Sequence, residues 1–473
     1  MLHTHDFIEF WKQLKPTELA FVDESHSITF RETDLYTRRI AFYLMQFGLK
    51  RGEIVCLILP TYLGWLFSLS LHRLGIATMS KNNLSAFSPE LKPDWLISLE
   101  PHDQMDPSHT LIINEAELDK LNKLRPLQEL EGVDAPNEIA AFFSTSGTTG
   151  DMKWTAHTKK ELLEIALRPG TDDSFGGEGV LSLLNFGAAW VNFHALKCLV
   201  FGKTFYSCMF MNYKLPKFAR ENNISTLIGS PLQISSFLDI QKQTGTELPA
   251  LKTIIMGGSP PSEKLVDEIH SSFSAEIVNA YGSSEVGNVC RATFKKESHF
   301  EFAFVGIQSD VTLQIVDDND QPLPAMSVGH IRYKRPGMAT SYYNNPEATA
   351  QYFRDGFFYP GDLAYLDHAG RLVLQGRSNE VINLGGVKIN PERIDAIALT
   401  QSGIQDCAAF AHLNESGVEE LAIALVVDEG FDKEGFEKAM SKDSPYPIRR
   451  ATIVKEIPRN ENGKILRNLL AKG

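Results

Sequence analysis

Cysteine is scarce in this chain. There are five in 473 residues, at positions 56, 198, 208, 290 and 407, and none forms a Cys-x-x-Cys pair. That number and scatter exclude a disulfide scaffold, a zinc ribbon and a dithiol redox site, and the five read as buried thiols of a reducing compartment. Positive charge is short as well: 46 Lys and Arg stand against 59 Asp and Glu, a formal net charge of −13. Sequence-independent nucleic-acid binding depends on neutralising phosphates, so a nucleic-acid partner is not expected. The chain has no Gly-Lys-Ser/Thr at Walker-loop spacing, no repeat with a period of about 20 to 50 residues and no low-complexity run. One uncharged stretch, Ile54 to Leu71, needs attention. It contains Pro60, Thr61, Tyr62, Gly64, Ser68 and Ser70, and reads as a buried strand (Ile54–Leu59) stopped at Pro60 and followed by a buried helix, with no membrane span expected. The N-terminal MLHTHDFIEFWKQL lacks the basic start and apolar core of a signal peptide, which points to a cytoplasmic protein.

What is present is the composition of a folded protein, 43% apolar and 22% charged. The length suggests two or three domains at about 150 residues each. Over the first 300 residues short apolar runs alternate with amphipathic stretches: EIVCLILP before TYLGWLFSLSLHRLG, STLIGSP before LQISSFLDIQKQ, LKTIIMGGS before PSEKLVDEIHSSF. Strand, turn and helix repeated in this way predict layered α/β structure with largely parallel sheets. From about Gly306 the texture changes to closely spaced β runs, VTLQIVDD, GHIRYKR and LAYLDHAGRLVLQG, with turns at Asp355-Gly356 and Ala369-Gly370. After Gly376-Arg377-Ser378-Asn379 a small mixed unit follows, with a strand at LAIALVVD and a basic tail. From Ser441 to Gly473 there are 8 Lys or Arg and 3 Asp or Glu. The boundary is placed near residue 378, giving units 1–378 and 379–473.

The densest chemical signal is Phe142-Phe143-Ser144-Thr145-Ser146-Gly147-Thr148-Thr149-Gly150-Asp151-Met152-Lys153. A strand-like entry leads into hydroxyl and glycine positions that can turn N–H groups and hydroxyls onto phosphate oxygens, and Lys153 adds a point charge suited to a polyphosphate. By composition alone a solvent-exposed Ser/Thr loop reads equally well. Three further segments follow in order: Asn279-Ala280-Tyr281-Gly282-Ser283-Ser284-Glu285; Tyr359-Pro360-Gly361-Asp362-Leu363 with Gln375-Gly376-Arg377; and Asn383-Leu384-Gly385-Gly386-Val387-Lys388 with, near the end, Arg459-Asn460-Glu461-Asn462-Gly463-Lys464.

With these segments in this order the chain resembles the ANL superfamily of adenylate-forming enzymes: acyl- and aryl-CoA synthetases, nonribosomal-peptide adenylation domains and luciferases. The likeness runs over nearly the whole chain. It implies a large N-terminal domain of layered α/β subdomains plus a β-rich subdomain, and a small mobile α+β C-terminal domain. It also implies that a carboxylic acid and MgATP give an acyl adenylate and pyrophosphate, after which a thiol takes the acyl group. On this reading Lys464 bridges carboxylate and α-phosphate, Glu285 ligates Mg²⁺, and Thr145, Ser146, Gly147, Thr148, Thr149, Gly150 and Lys153 hold the distal phosphates. Tyr281 lies against adenine, with Asn279, Ala280, Gly282, Ser284 and the Gly257-Gly258-Ser259-Pro260 turn around the base. Asp362 accepts from the ribose hydroxyls, Arg377 assists beside it, and Gly385-Gly386 line a pantetheine passage after rotation about Asn379. Four positions depart from the family pattern: Met152 replaces Pro, Trp154 replaces Gly, Pro360 replaces Thr, and Asn379 occupies the hinge position.

The acyl pocket is expected along Leu181 to His194, with Asn185, Phe186 and Trp190 as lining residues. Phe186-Gly187-Ala188-Ala189 lacks the Asp that amino-acid-adenylating relatives use for the α-ammonium, which disfavours an α-amino acid, and Phe186, Trp190 and Phe193 suggest an apolar or aryl acid. His194 reads as a packed core histidine. The acceptor is CoA or, alternatively, the phosphopantetheine of a separate acyl carrier protein, the chain ending soon after Lys464 without a fused carrier. A non-catalytic nucleotide-binding regulator is the third reading, and the retained Glu285, Asp362, Arg377 and Lys464 speak against it.

Overall fold

The computed structural model describes all residues except 1–2, 82–86, 89, 128–134, 146–152, 169–178, 185, 209–210, 297–302, 379, 381, 385–386, 415–418, 445, 460–464 and 472–473. Two predominantly parallel sheets form the first layers. One has six strands in the spatial order Thr110–Ile112, Trp95–Ser98, Ile54–Ile58, Ala77–Ser80, Ile139–Thr145 and Lys153–Thr158, parallel until the last pair closes as an antiparallel hairpin. The other has eight, running from Gly287–Phe294 through Glu276–Ser283, Thr253–Gly257, Thr226–Gly229, Gly179–Ser182, Thr204–Ser207 and Leu19–Val22 to Ser27–Thr29. Its six central strands are parallel, and an antiparallel strand closes each edge.

The uncharged stretch folds as its sequence suggests. Strand Ile54–Ile58 stops before Pro60, and helix Thr61–Leu74 runs on to Gly75, a left-handed C-cap at φ 74°. Most of that helix is buried, its residues Leu63, Trp65, Leu66, Phe67, Leu69 and Leu71 sharing a core with Val55, Leu57, Val180, Phe205 and Ile228. It is therefore apolar on nearly every side because it lies between two sheets. Among the described residues no helix is long and apolar enough to cross a membrane. Other helices start where their caps dictate: Thr29 with Glu32 and Ser230 with Gln233 form reciprocal capping boxes at helices Phe30–Gln46 and Pro231–Thr244.

The β-rich segment is a six-stranded antiparallel sheet built from Thr312–Val316, Gly329–Lys334, Phe353–Arg354, Phe357–Phe358, Asp362–Leu366 and Leu372–Arg377. Its Tyr333, Phe358, Ala364 and Leu372 join the core beneath the eight-stranded sheet. Beyond it, residues 382–470 build their own interior. A hairpin (Ile382–Leu384 with Val387–Ile389), a three-stranded sheet (Ile404–Leu413, Glu419–Val427, Arg450–Ile453) and helices Pro391–Leu399 and Lys433–Asp443 enclose Ile394, Ile404, Leu421, Ile423, Leu425, Phe436 and Met440. A large N-terminal α/β body and a small C-terminal α+β unit result.

Candidate active site

The phosphate-loop sequence is the connection of a hairpin. Thr145 ends one strand and pairs in register with Lys153, which opens the next. Ser146, Gly147, Thr148, Thr149, Gly150 and Met152 lie outside the described residues, but the two ends of their loop are fixed opposite one another. Successive residues of a strand face opposite ways. Trp154, in place of the expected glycine, is accordingly buried in a core with Leu91, Leu96 and Phe142. The Lys153 ammonium lies 4.2 Å from the ring centre of Tyr352 and 5.7 Å from that of Tyr342.

Glu285 sits in the turn between strands Glu276–Ser283 and Gly287–Phe294 and is 4% exposed. Its Oε1 accepts a hydrogen bond from the Tyr342 hydroxyl at 2.6 Å, and its backbone oxygen accepts from the Ala339 N–H at 2.8 Å. The preceding carbonyl, that of Ser284, accepts from His157 Nε2 at 3.1 Å. Burial depresses the His157 pKa to about 4, so this imidazole is a neutral donor near pH 7. Among the described residues no group of three or more His, Cys, Asp or Glu gathers as a metal cage. A single buried carboxylate nevertheless fits Mg²⁺, which commonly takes one or two carboxylates and completes its shell with phosphate and water oxygens.

The chain does not turn at Tyr281-Gly282. The strand continues to Ser283, with a shift of register between Tyr281 and Gly282 against its neighbour. Glycine is needed there because a Cβ on Gly282 would collide with the backbone of Gly287 and Asn288. Asn279 is buried and donates from Nδ2 to the Ser259 carbonyl at 3.0 Å, while Ala280 pairs with Gly257. Gly258 adopts φ +88°, which favours glycine, and turns the chain towards Ser259.

Tyr281, Asp362 and Arg377 meet. The Tyr281 hydroxyl donates to Asp362 Oδ2, and Arg377 Nε stands 2.8 Å from Asp362 Oδ1. Arg377 Nη1 donates to the Pro360 carbonyl at 2.8 Å, so the proline found in place of threonine still supplies an acceptor. Asp362 and Arg377 are also register partners on neighbouring strands. Burial and the Asp362 carboxylate raise the Tyr281 pKa far above the phenolic range and keep it a donor. Each Asp362 oxygen thus already carries one partner and keeps lone pairs for further hydrogen bonds.

Phe186, expected to line the acyl pocket, is buried in the core shared with helix Thr61–Leu74, and its carbonyl accepts from Asn192 Nδ2. Asn185 lies outside the described residues. Trp190 packs so closely on the strand end at Gly257 that a Cβ there would come 2.8 Å from its ring. His194 is buried 5.5 Å from the Trp190 ring, and burial depresses its pKa to about 3, as a core histidine requires. Phe193 stacks edge-on with Phe143 and His157 in the same interior.

Lys464, Gly385 and Gly386 lie outside the described residues, but their supports are visible. Arg459 and Ile465 form a bridge at the base of the Lys464 loop. Arg459 Nη2 reaches both Asp406 oxygens at 2.8 and 3.0 Å, and Ile465 packs against the core of Ala408, Phe410, Ala422, Ala424 and Ile457. Gly385 and Gly386 join two paired strands whose nearest partners are Leu384 and Val387.

Tyr342 and Tyr352, which contact Lys153 and, for Tyr342, Glu285, belong to none of the sequence segments above. The run Tyr342-Tyr343-Asn344-Asn345-Pro346 after a strand, ending in a proline-started helix, was the available signal. Nothing local marked the buried Arg168, whose Nη1 and Nη2 donate to the carbonyls of Val286 and Pro336, both at 2.8 Å.

Residues 8–343 match the family described as AMP-binding enzyme. Among curated proteins the chain is 24% identical to the peroxisomal OPC-8:0-CoA ligase 1 of Arabidopsis thaliana, over 96% of this chain and 90% of that one. It is 25% identical to the 2-succinylbenzoate–CoA ligase of Listeria innocua, over 97% of each. Among solved structures it resembles the o-succinylbenzoate CoA synthetase of Bacillus subtilis in complex with the acyl-adenylate intermediate, with a TM-score of 0.84 at 19% identity, covering 98% of this chain and 97% of the other. The ATP-bound MatB of Rhodopseudomonas palustris aligns with a TM-score of 0.84 at 19% identity, covering 100% and 99%. The chain belongs to the AMP-binding enzyme family, and with it to the ANL superfamily of adenylate-forming enzymes.

Proposed function

We propose that this enzyme activates a small-molecule carboxylic acid with ATP and transfers the acyl group to the thiol of CoA. In the first step a carboxylate oxygen forms a bond to the α-phosphorus and the bond to the β-phosphate oxygen breaks, giving acyl-AMP and pyrophosphate. In the second, sulfur attacks the acyl carbon, AMP leaves with the bonding electrons, and the thiol proton goes to solvent. The observation that carries this reading is the proximity of the Lys153 end of the hydroxyl- and glycine-rich hairpin to Glu285, with Tyr342 touching both.

The barrier to the first step is largely electrostatic, since two anions meet while charge builds on phosphoryl oxygens. Thr145, Ser146, Gly147, Thr148, Thr149, Gly150 and Lys153 cradle the β- and γ-phosphates, and Lys464 offsets the charge where acid meets α-phosphate. Glu285 would hold Mg²⁺, which when bound would offset the negative charge of the phosphate oxygens. Asn279, Ala280, Tyr281, Gly282, Ser284, Gly258 and Ser259 frame the base, and Asp362 with Arg377 receives the ribose. Phe186, Trp190 and Asn185 border an apolar or aryl acid. The units meet at residues 378–379, and rotation there exchanges Lys464 for Gly385 and Gly386 between the two steps. Supporting CoA as acceptor is the recurrence of CoA ligases among the relatives; a free-standing acyl carrier protein is the alternative. A cytoplasmic location accords with this chemistry.

A pyrophosphate-release assay over a panel of aryl and medium-chain acids tests the reading. Acid-dependent release, followed by thioester formation on adding CoA, is expected. Nucleotide binding with no release for any acid would leave a binder rather than an enzyme, and thioester formation on a carrier protein but not on CoA would reassign the acceptor.

A further inference from the structure

Segment 335–343 is attached to both halves of the phosphate site. On one side it holds the Glu285 turn: the Ala339 N–H donates to the Glu285 carbonyl at 2.8 Å, the Tyr342 hydroxyl donates to Glu285 Oε1 at 2.6 Å, and Arg168 joins the carbonyls of Val286 and Pro336. Arg335 adds a hydrogen bond to the Asn288 carbonyl while pairing with Asp310 through Nε at 3.0 Å and Nη2 at 2.6 Å. On the other side it holds the hairpin: the Tyr343 N–H donates to the Trp154 carbonyl at 2.8 Å, and Tyr342 bridges Thr155. The Lys153 ammonium rests over the rings of Tyr352 and Tyr342.

We propose that Tyr342 is a positioning residue, which fixes the Glu285 carboxylate for the metal by holding Oε1 and sets it in register with Lys153 of the phosphate hairpin. The proposal rests on the reading of Glu285 as the Mg²⁺ ligand. Geometry makes the phenol suitable. It is buried beside Glu285, and its hydroxyl occupies one carboxylate oxygen, which leaves Oε2 as the hard donor for the cation. Donors of this kind to metal-binding carboxylates orient the ligand, and their loss commonly costs about 10- to 100-fold in metal affinity. The Tyr342 ring also faces Lys153, so one side chain sets two charges that must meet the same triphosphate.

The test measures ATP binding to the full chain by calorimetry, without acid, as a function of Mg²⁺. Tyr342→Phe keeps the ring beneath Lys153 and removes only the hydroxyl. It is expected to raise the Mg²⁺ concentration for half-maximal effect by about tenfold while leaving metal-free ATP binding near the wild-type value. Tyr352→Leu removes the ring nearest Lys153 without touching Glu285, and is expected to alter metal-free ATP binding at an unchanged Mg²⁺ midpoint. Glu285→Gln should abolish the Mg²⁺ effect. If Glu285→Gln abolishes it but Tyr342→Phe keeps the wild-type midpoint, with or without a lower melting temperature, Tyr342 is a structural prop and the proposal is overturned. If Glu285→Gln itself keeps the wild-type Mg²⁺ dependence, the metal-ligand reading beneath the proposal fails.

Discussion

Arg467 Nη2 stands 2.5 Å from Asp395 Oδ2, both side chains almost wholly buried, three residues after the lysine proposed to meet the α-phosphate. Asp395 Oδ1 accepts from the Ala409 N–H at 2.5 Å, and Arg467 Nη1 donates to the Ala409 carbonyl at 2.6 Å. The chain just after Lys464 is thereby pinned to helix Pro391–Leu399 and to strand Ile404–Leu413. Burial lifts the Asp395 carboxyl above the usual carboxylate range even beside the guanidinium, so removing one partner strands the other in a dry interior. Arg467→Met is expected to destabilise the small unit by about 3–5 kcal/mol, read as a lowered calorimetric transition. A variant within about 0.5 kcal/mol of wild type, the range typical of plain surface changes, would mean that the pair does not anchor the loop.

Gly257 and Trp190 are in close contact beside the proposed acyl pocket. A Cβ at position 257 would lie 2.8 Å from the Trp190 ring and 3.3 Å from the Ala280 carbonyl oxygen, so the indole must move. Gly257→Ala is expected to raise the acid KM about tenfold, a change of roughly 1.4 kcal/mol. An unchanged acid KM would remove Trp190 from the pocket wall.

Two buried histidines and the half-buried His72 predict how stability depends on pH. Burial holds His72 and His157 at about 4 and His194 at about 3, against 6.5 in the unfolded chain. Between pH 6.5 and 4 the unfolded state therefore binds more protons than the folded one, and stability falls as pH falls. Each histidine contributes up to about 1.4 kcal/mol per pH unit in that window. Urea midpoints at pH 7, 6 and 5 should decline, and His194→Gln should flatten the decline. A flat profile in the wild type would show that these imidazoles take up protons in the folded state.

Much of this fold was legible because its elements are locally marked. Pro60 separates a strand from a helix, Asp355-Gly356 turns a hairpin with both residues at positive φ, and LAIALVVD is a buried strand. The course of residues 279–285 was not legible. Tyr-Gly reads as a turn, yet Gly282 is there for close approach to Gly287 within a continuing strand. The site was legible as a set of residue types and hidden as a set of contacts. Tyr281 and Asp362 are 81 positions apart, and Tyr342 and Glu285 are 57 apart. Such pairs are fixed by sheet register and layer packing, which no local pattern encodes. His194 was correctly read as core because its neighbours in the helix are apolar.

The most direct test separates the two half-reactions in Lys464→Ala. The account predicts that acid-dependent pyrophosphate release falls by at least a hundredfold, the scale of losing a charge that acts in the transition state, whereas thioester formation from a synthetic acyl adenylate and CoA stays within about threefold of wild type, a difference of under 0.7 kcal/mol. Equal loss of both steps, or retention of pyrophosphate release, would contradict it.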